Sequence, residues 1–298
     1  MKRKLLAAAL VLIIASSPAA RGYDSLTYLY GGGTETYLTR LARTGDNITI
    51  VSPDYFEVST AGELKYTKNV DPLLLAAMSD KGITVLPFLS NHWNRANARL
   101  MLTKRELVAN QLAAAVTQHG LDGLDIDIQN ITEADRDDFT DFIRLLRDAM
   151  PRGTQLTVCV PANPYYTTVG WQGGYDYEAL SRHCDHIFIM TYDESYDGGP
   201  PGPVASFWFV ENSIKYGLQY VPREKLMIGI PFYGRFWTDS IKGAGFTNAD
   251  IDWLVNNAEA TVWYDETKDC ARATVTVPEG TTVTTWGGRK ISAGVYDI

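Results

Sequence analysis

Short apolar runs alternate with amphipathic stretches along most of the chain. The runs are almost continuously apolar and rich in β-branched residues, which is typical of parallel strands covered on both faces. Seven such strands are predicted, at residues 25–30, 48–51, 83–89, 123–128, 156–161, 186–192 and 227–232. Helices are predicted between them, at residues 71–81, 105–119, 133–150 and 177–182. This alternation favours a (β/α) barrel over a doubly wound sheet.

The helix at residues 133–150 carries the clearest local signals. Thr132 precedes it and Asp135 follows three positions later, as in a capping box. Its apolar residues recur at helical spacing and are predicted to pack on the sheet: Phe139, Phe142, Ile143 and Leu146.

The pattern changes after the seventh strand. Residues 238–290 are predicted to form a small α+β insertion, with antiparallel strands at 262–264, 273–277 and 283–286 and turns at 278–280 and 287–288. We expect residues 291–298 to begin a return toward the barrel. The predicted fold is therefore a TIM-type (β/α)8 barrel at residues 21–237 that lacks its eighth strand, which leaves an open edge. Either the sequence is truncated or the closing strand comes from elsewhere.

The first twenty residues have the order of a secretory signal peptide. Basic residues at 1–4 precede an apolar run at 5–15 and small residues at 16–20. The run is shorter than the roughly 20 residues of a spanning helix, so we predict no stable membrane span. We expect a secreted or cell-envelope-associated protein, with an uncleaved anchor as the alternative.

Composition excludes several classes of function. The net charge of -8 and the pI of about 5.1 argue against binding nucleic acid, which depends on clustered Lys and Arg. The four histidines lack metal-binding spacing, and we predict no metal. The run of glycines at 31–33 lacks the spacing of a dinucleotide fingerprint, is expected to form a turn rather than open a helix, and implies no cofactor. Three cysteines permit at most one disulfide, and Cys159 is expected to be a buried thiol.

The stretch from Leu121 to Gln129 is the most informative part of the sequence. Strand alternation places Asp125, Asp127 and Gln129 on one face and apolar residues on the other. Polar side chains stacked on a buried strand are costly unless they bond to one another or to a ligand. They also lie at the carboxyl end of the strand, where barrel enzymes place their chemistry. An acidic turn after a helix is the alternative, which the apolar alternation disfavours.

This stretch resembles the DxxDxDxE signature of glycoside hydrolase family 18, with Gln129 in the Glu position. Residues 190–193, Met-Thr-Tyr-Asp, resemble the MxYD motif of the same family. Residues 51–53, 199–205 and 229–234 are most similar to the bacterial spore-cortex and cell-wall N-acetylglucosaminidase branch. The resemblance extends over most of the chain and implies a chitin-like or peptidoglycan-like ligand. In the family an eighth strand also supplies a tryptophan beneath the sugar.

The resemblance implies substrate-assisted retaining chemistry, in which the acetamido oxygen of the sugar attacks its own anomeric carbon. Asp127 would orient that acetamido group with Asp125 behind it, while Tyr192 would bond to its carbonyl. Asp193 would help shape the same pocket. Two aromatic residues at the ends of predicted strands, Tyr233 and Trp93, are predicted to stack on sugar rings, with core packing as the alternative. Met190 and Asn91 are further predicted sugar contacts. Trp171 and Trp208 are expected to pack beneath loops instead.

Gln129 is the departure from the family pattern. Its amide has nearly the shape of a carboxyl group but carries no transferable proton near neutral pH. We therefore expect a site that binds its glycan with turnover lost or very low. Three explanations remain open: an engineered trap, a natural sugar-binding pseudoenzyme such as a cell-envelope lectin, or a substitute acid at Glu194 or Glu133. A truncated, poorly folding fragment is a further alternative.

Overall fold

Parallel strands form the central sheet of the computed structural model, which describes residues 24–238, 241–245, 260–265, 270–284 and 290–297. The predicted signal peptide at 1–20 lies outside these residues. The strands up to residue 228 are β1 Leu26–Leu29, β2 Ile50–Val58, β3 Leu64–Tyr66, β4 Thr84–Val85, β5 Phe88–Ser90, β6 Gly123–Asp127, β7 Gln155–Pro161, β8 His186–Met190 and β9 Leu226–Ile228. The helices are α1 Thr34–Ala42, α2 Pro72–Asp80, α3 Arg95–Thr103, α4 Arg105–His119, α5 Arg136–Ala149, α6 Gly170–Gly173, α7 Tyr177–Ser181 and α8 Phe207–Tyr220. Short 3-10 turns occupy Glu133–Asp135 and Arg223–Lys225.

The main path of the sheet runs β1-β2-β5-β6-β7-β8-β9, and every pairing along it is parallel. The seven strands confirm the predicted barrel arc without an eighth strand. Within the described residues β1 and β9 each pair with one neighbour, so the arc is open between them. A cavity of about 1370 Å³ is lined by both of these edge strands.

The outer face of β6 packs against α5. Leu124, Ile126 and Ile128 are fully buried on that face. The predicted core residues of α5 are also fully buried: Phe139, Phe142, Ile143 and Leu146. The capping box between Thr132 and Asp135 is present, as the sequence predicted. Burial on this scale is the main favourable contribution to folding.

Gly123 permits the close approach of β6 to β7. A Cβ at Gly123 would lie 1.9 Å from the carbonyl oxygen of Gln155, and the residue has a φ of +158° that L side chains rarely adopt. The approach lies at the amino ends of the two strands, where Gly123 pairs with Gln155 in the parallel register.

Several elements differ from the prediction. Gly31 has a φ of +66°, which agrees with the expected turn. However, α1 begins at Thr34, directly after the glycines, so the expectation that they open no helix was wrong. The strand β3 and the helices α3 and α8 were not predicted. The α8 sequence is rich in aromatic and β-branched residues, which have low intrinsic helix propensity. Its first turn is capped by Ser206, whose hydroxyl accepts a hydrogen bond from Phe209 N.

The described residues from 235 onward form strands of their own. β10 Arg235–Thr238 pairs antiparallel with β11 Ile241–Gly245, and β12 Ala260–Asp265, β13 Cys270–Thr284 and β14 Lys290–Asp297 form a second antiparallel sheet. The turn expected at 278–280 lies instead within β13, where the register against β14 shifts. Residues 291–297, expected to return toward the barrel, pair with β13 in this sheet. The domain boundaries stay a prediction.

Candidate active site

The carboxyl end of β6 presents the three polar residues of the signature. Asp125 is fully buried, while Asp127 and Gln129 are partly exposed. The alternating residues on the other face are buried in the core, as the strand pattern predicted. The neighbouring strand β5 pairs Ser90 with Asp127, so the ends of β5 and β6 meet at this point.

Asp125 lies in a buried network of hydrogen bonds. Ser52 Oγ donates to its Oδ2 at 3.0 Å, and Cys159 Sγ donates to its Oδ1 at 3.3 Å. The Tyr28 hydroxyl lies 3.2 Å from the same sulfur. Burial, and secondarily the charge of Asp127, raises the pKa of Asp125 to about 7. Asp125 is therefore only partly ionised near neutral pH. Cys159 is the buried free thiol that the sequence predicted.

Asp127 is bound to Gln129. The side-chain amide Nε2 of Gln129 donates to Asp127 Oδ1 at 2.6 Å. Burial raises the pKa of Asp127 to about 6, and the hydrogen bond from Gln129 and the nearby His92 limit that rise. The amide thus stabilises the ionised form of Asp127 and orients its carboxylate toward position 129.

Asn91 holds the backbone of Gln129. Its Oδ1 accepts from Gln129 N and its Nδ2 donates to Gln129 O, both at 2.8 Å. Nδ2 also donates to the carbonyl of Asn94 at 3.0 Å, and the side chain is buried. The sugar contact predicted for Asn91 is untested, and the geometry places the residue behind the site as a support for Gln129.

The carboxyl end of β8 supplies the second group of residues. Met190 is buried in a cluster with Cys159 and Phe188, and Tyr192 packs against this cluster. Gly229 lies directly against the Tyr192 ring, since a Cβ there would be 2.5 Å from Tyr192 Cε1. This close packing fixes the position of the Tyr192 ring beside the cluster.

Asp193 is fixed by two partners from the segment after β9. Tyr233 Oη donates to its Oδ1 at 2.7 Å, and Arg235 donates to the same oxygen through Nη2 at 2.8 Å and Nε at 3.0 Å. Asp193 itself has a φ of 58°, a left-handed conformation that non-glycine residues seldom adopt. Arg235 was not predicted from the sequence. It directly follows residues 229–234, one of the segments that carry the resemblance.

Trp93 lies at the open side of the site. It is 50% exposed, has a φ of 62°, and packs edge to face on Trp171 with ring centroids 4.8 Å apart. Asn130 donates to its carbonyl at 2.8 Å, which ties Trp93 to the residue after Gln129. An exposed indole held this way presents a flat apolar surface next to Gln129.

The two carboxylates proposed as substitute acids have structural partners. Glu194 accepts from Ser206 N at 2.7 Å and from Ser206 Oγ at 3.0 Å. Glu133 accepts from Gly170 N at 2.6 Å. Each therefore stabilises a loop or helix start, which disfavours a role as proton donor for either.

Two other kinds of site are absent from the described residues. No group of three or more His, Cys, Asp and Glu side chains in that part of the chain is arranged to hold a metal ion. None of its helices has the length and apolar character required to cross a membrane.

A parallel (β/α) arc with carboxylates at the carboxyl end of one strand is the arrangement of a TIM-barrel enzyme. The family model described as glycosyl hydrolases family 18 matches residues 26–276, so the chain belongs to that family.

Two relatives from Bacillus subtilis (strain 168) illustrate the similarity. The putative sporulation-specific glycosylase YdhD is 38% identical over 136 residues, which cover 45% of this chain and 32% of YdhD. The cortical fragment-lytic enzyme is 24% identical over 208 residues, which cover 65% of this chain and 48% of the enzyme. The chain thus spans less than half the length of these two relatives.

Solved structures share the fold. A chitinase from Chromobacterium violaceum superimposes with a TM-score of 0.71 at 24% identity, covering 89% of this chain and 83% of that chain. The Bacillus cereus spore cortex-lytic enzyme SleL gives a TM-score of 0.69 at 18% identity, covering 90% of this chain and 63% of that chain. At these identities the likeness shows the fold alone.

Proposed function

We propose that this chain binds an N-acetylglucosamine-containing glycan, chitin-like or peptidoglycan-like, at the carboxyl ends of β5, β6 and β8, with turnover lost or very low. The hydrogen bond from Gln129 Nε2 to Asp127 Oδ1 at 2.6 Å carries the proposal. This bond holds the carboxylate of Asp127, which would orient the acetamido group. The amide of Gln129 itself occupies the position of the family's proton donor. Family membership and the relative named as a cortical fragment-lytic enzyme support the choice of glycan. The predicted signal peptide and the cortex-lytic relatives support a secreted or cell-envelope location.

The family chemistry assigns each residue a role. The acetamido oxygen attacks the anomeric carbon while the bond to the leaving oxygen breaks. Asp127 accepts the acetamido N–H, Asp125 holds its proton behind it, and Tyr192 donates to the acetamido carbonyl. Tyr233 and Arg235 fix Asp193 at the edge of the same pocket.

The missing step is protonation of the leaving oxygen. General acid catalysis contributes about 10²- to 10⁴-fold, which corresponds to roughly 3 to 5 kcal/mol of barrier. Binding survives the loss, because a carboxamide keeps the volume and the hydrogen-bonding capacity of a carboxyl group.

A cell-envelope lectin is the second candidate function. The hydrogen bonding of Gln129 favours it, since both its side-chain amide and its backbone have partners within the protein. A lectin would also bind the glycan. It would stay inactive when a proton donor is placed at position 129.

The experiment compares the chain with its Gln129→Glu variant on a fluorogenic N-acetylglucosamine oligomer, with binding measured by calorimetry. We expect binding by both and hydrolysis by the variant only, at least about 100-fold above the parent. Binding without activity in both proteins would support the lectin. Robust cleavage by the parent, or the absence of binding, would refute the proposal.

A further inference from the structure

Large aromatic side chains are exposed together beside the candidate site. Tyr165 is 69% exposed, Phe207 82% and Trp208 46%, and Tyr166 is also exposed. The rings of Tyr165 and Trp208 contact each other, with centroids 5.2 Å apart and planes inclined by 51°. We call Tyr165, Tyr166, Phe207 and Trp208 the aromatic shelf. The expectation that Trp208 packs beneath a loop was wrong, and the contact between the exposed rings of Tyr165 and Trp208 forms apolar surface of the kind that marks interaction sites.

The loop that carries the tyrosines is braced from within. Asn163 is buried, its Nδ2 donates to Thr167 O at 2.9 Å, and its Oδ1 accepts from Thr167 N at 2.8 Å. Between them Tyr166 has a φ of 58°, a strained conformation that the brace maintains. The two tyrosines are therefore held outward before any ligand arrives, which lowers the entropic cost of binding on them.

The other half of the shelf is fixed to the site. Trp208 lies in the first turn of α8, whose cap Ser206 bonds to both carboxylate oxygens of Glu194. Glu194 follows Asp193 in the chain, and Asp193 is held by Tyr233 and Arg235. The start of α8 is thus positioned by the loop that also positions Asp193.

One loop joins the shelf to the candidate site. The loop after β7 carries Tyr165, and further along it Trp171 packs on Trp93 and against the cluster that includes Met190. Because β7 lies between β6 and β8, this loop begins at the same edge of the sheet as Gln129. A polymer leaving the site across this edge passes over the shelf.

The chemistry of the shelf suits a neutral sugar chain. Pyranose rings have apolar C–H faces that pack on aromatic rings, and their hydroxyls form hydrogen bonds with polar groups at the ring edges. The shelf supplies both, since its tyrosines carry phenol groups and Gln219 Nε2 donates to the Tyr166 hydroxyl at 3.3 Å. We propose that the aromatic shelf is a second contact for the N-acetylated glycan polymer, engaged only by chains longer than the site itself. This inference rests on the proposed function.

The test measures binding of the full chain to insoluble chitin particles and, by calorimetry, to a soluble N-acetylglucosamine trimer. Tyr165→Ala and Trp208→Ala should each weaken binding to the particles about 3- to 10-fold and leave trimer binding unchanged. Tyr165→Phe keeps the ring and should retain most of the polymer affinity. Leu73→Ala is the control, because Leu73 is a large apolar residue, 72% exposed, on α2, which contributes no residue to the shelf.

The outcomes separate the two proposals. If Tyr165→Ala and Trp208→Ala bind particles and trimer as the parent does, the aromatic shelf does not contact the polymer. The proposed function would be unaffected by that result. Equal losses for particles and trimer would also overturn the shelf, since the variants would then act on the site itself. A parent chain that binds neither probe would refute the proposed function and the shelf with it.

Discussion

The amide of Gln129 donates to the carboxylate of Asp127 at 2.6 Å, in a position where two carboxylates would repel each other. The amide donates at every pH, whereas a carboxyl group donates only when protonated. In the Gln129→Glu variant the two acids must share one proton to keep this contact, and above their titration range the contact is lost.

We therefore expect opposite pH dependence in the two proteins. The parent should bind an N-acetylglucosamine oligomer at least as well at pH 8 as at pH 5.5, because its Asp127, with a pKa of about 6, is more fully ionised at the higher pH. The Gln129→Glu variant should bind more weakly at pH 8 than at pH 5.5. Calorimetry with a non-hydrolysable thioglycoside oligomer measures both, and parallel profiles would show that the amide does not determine the orientation of Asp127.

Asn91 should contribute more to the free energy of unfolding than Asn94, three positions further along the chain. Asn91→Ala removes partners from both the N–H and the C=O of Gln129, at a cost of about 2 to 4 kcal/mol. Asn94→Ala removes the N-cap of α3 that bonds to Asn97 N, at a cost of about 1 kcal/mol. Urea denaturation of both variants provides the comparison, and oligomer binding should fall only for Asn91→Ala. Equal losses of stability would contradict a supporting role specific to Gln129.

The sequence predicted the parts of the site that depend on local periodicity. The alternation of Asp125, Asp127 and Gln129 follows from strand geometry alone, and so does the burial of the residues between them. The seven strands of the arc follow from apolar runs, and the capped start of the helix after β6 follows from Thr132 and Asp135.

The parts that depend on contacts between distant segments were not predictable in this way. Asn91 and Gln129 lie 38 positions apart, and Arg235 lies 42 positions from Asp193, so no spacing rule connects them. Helix α8 combines poor helix formers with a cap held by Glu194, and tertiary contact outweighs intrinsic propensity there. The exposure of Trp208 is also a tertiary property, because a tryptophan in sequence is compatible with core and surface alike.

Asp125 should make stability fall with rising pH. Burial and the charge of Asp127 raise its pKa to about 7, above the value of roughly 3.9 in an unfolded chain. The folded state therefore binds this proton more tightly, and the free energy of unfolding decreases as pH rises from about 4 to about 7. Asp125→Asn removes the ionisation and keeps the shape of the side chain. The variant should match the parent near pH 4 and be about 2 to 4 kcal/mol more stable at pH 8.

Thermal or urea unfolding at pH 4, 6 and 8 measures this difference. Asp137→Asn is the matched control for the loss of one carboxylate, because Asp137 lies at an exposed position of α5. A constant difference between Asp125→Asn and the parent across the range would show that Asp125 is not protonated in the folded state at neutral pH.

Gly229 should be essential for the position of Tyr192. A methyl group at this position would lie 2.5 Å from Tyr192 Cε1, well inside van der Waals contact, so the ring must move or the backbone after β9 must shift. The backbone is held because Gly229 N donates to Ile189 O at 2.9 Å, and the ring is therefore expected to move. Gly229→Ala should cost about 1 to 3 kcal/mol of stability and weaken oligomer binding by at least about 10-fold. Gly33→Ala is the control, since a Cβ at Gly33 meets no atom within 4 Å and its φ is negative.

Tyr192→Phe separates the two effects of Gly229→Ala. It keeps the ring packed against Gly229 and removes only the hydroxyl, so stability should change little while oligomer binding weakens. Calorimetry and thermal unfolding on the same preparations measure both quantities. If Gly229→Ala binds the oligomer as the parent does, the position of the Tyr192 ring does not matter for recognition, and the acetamide contact must come from another group.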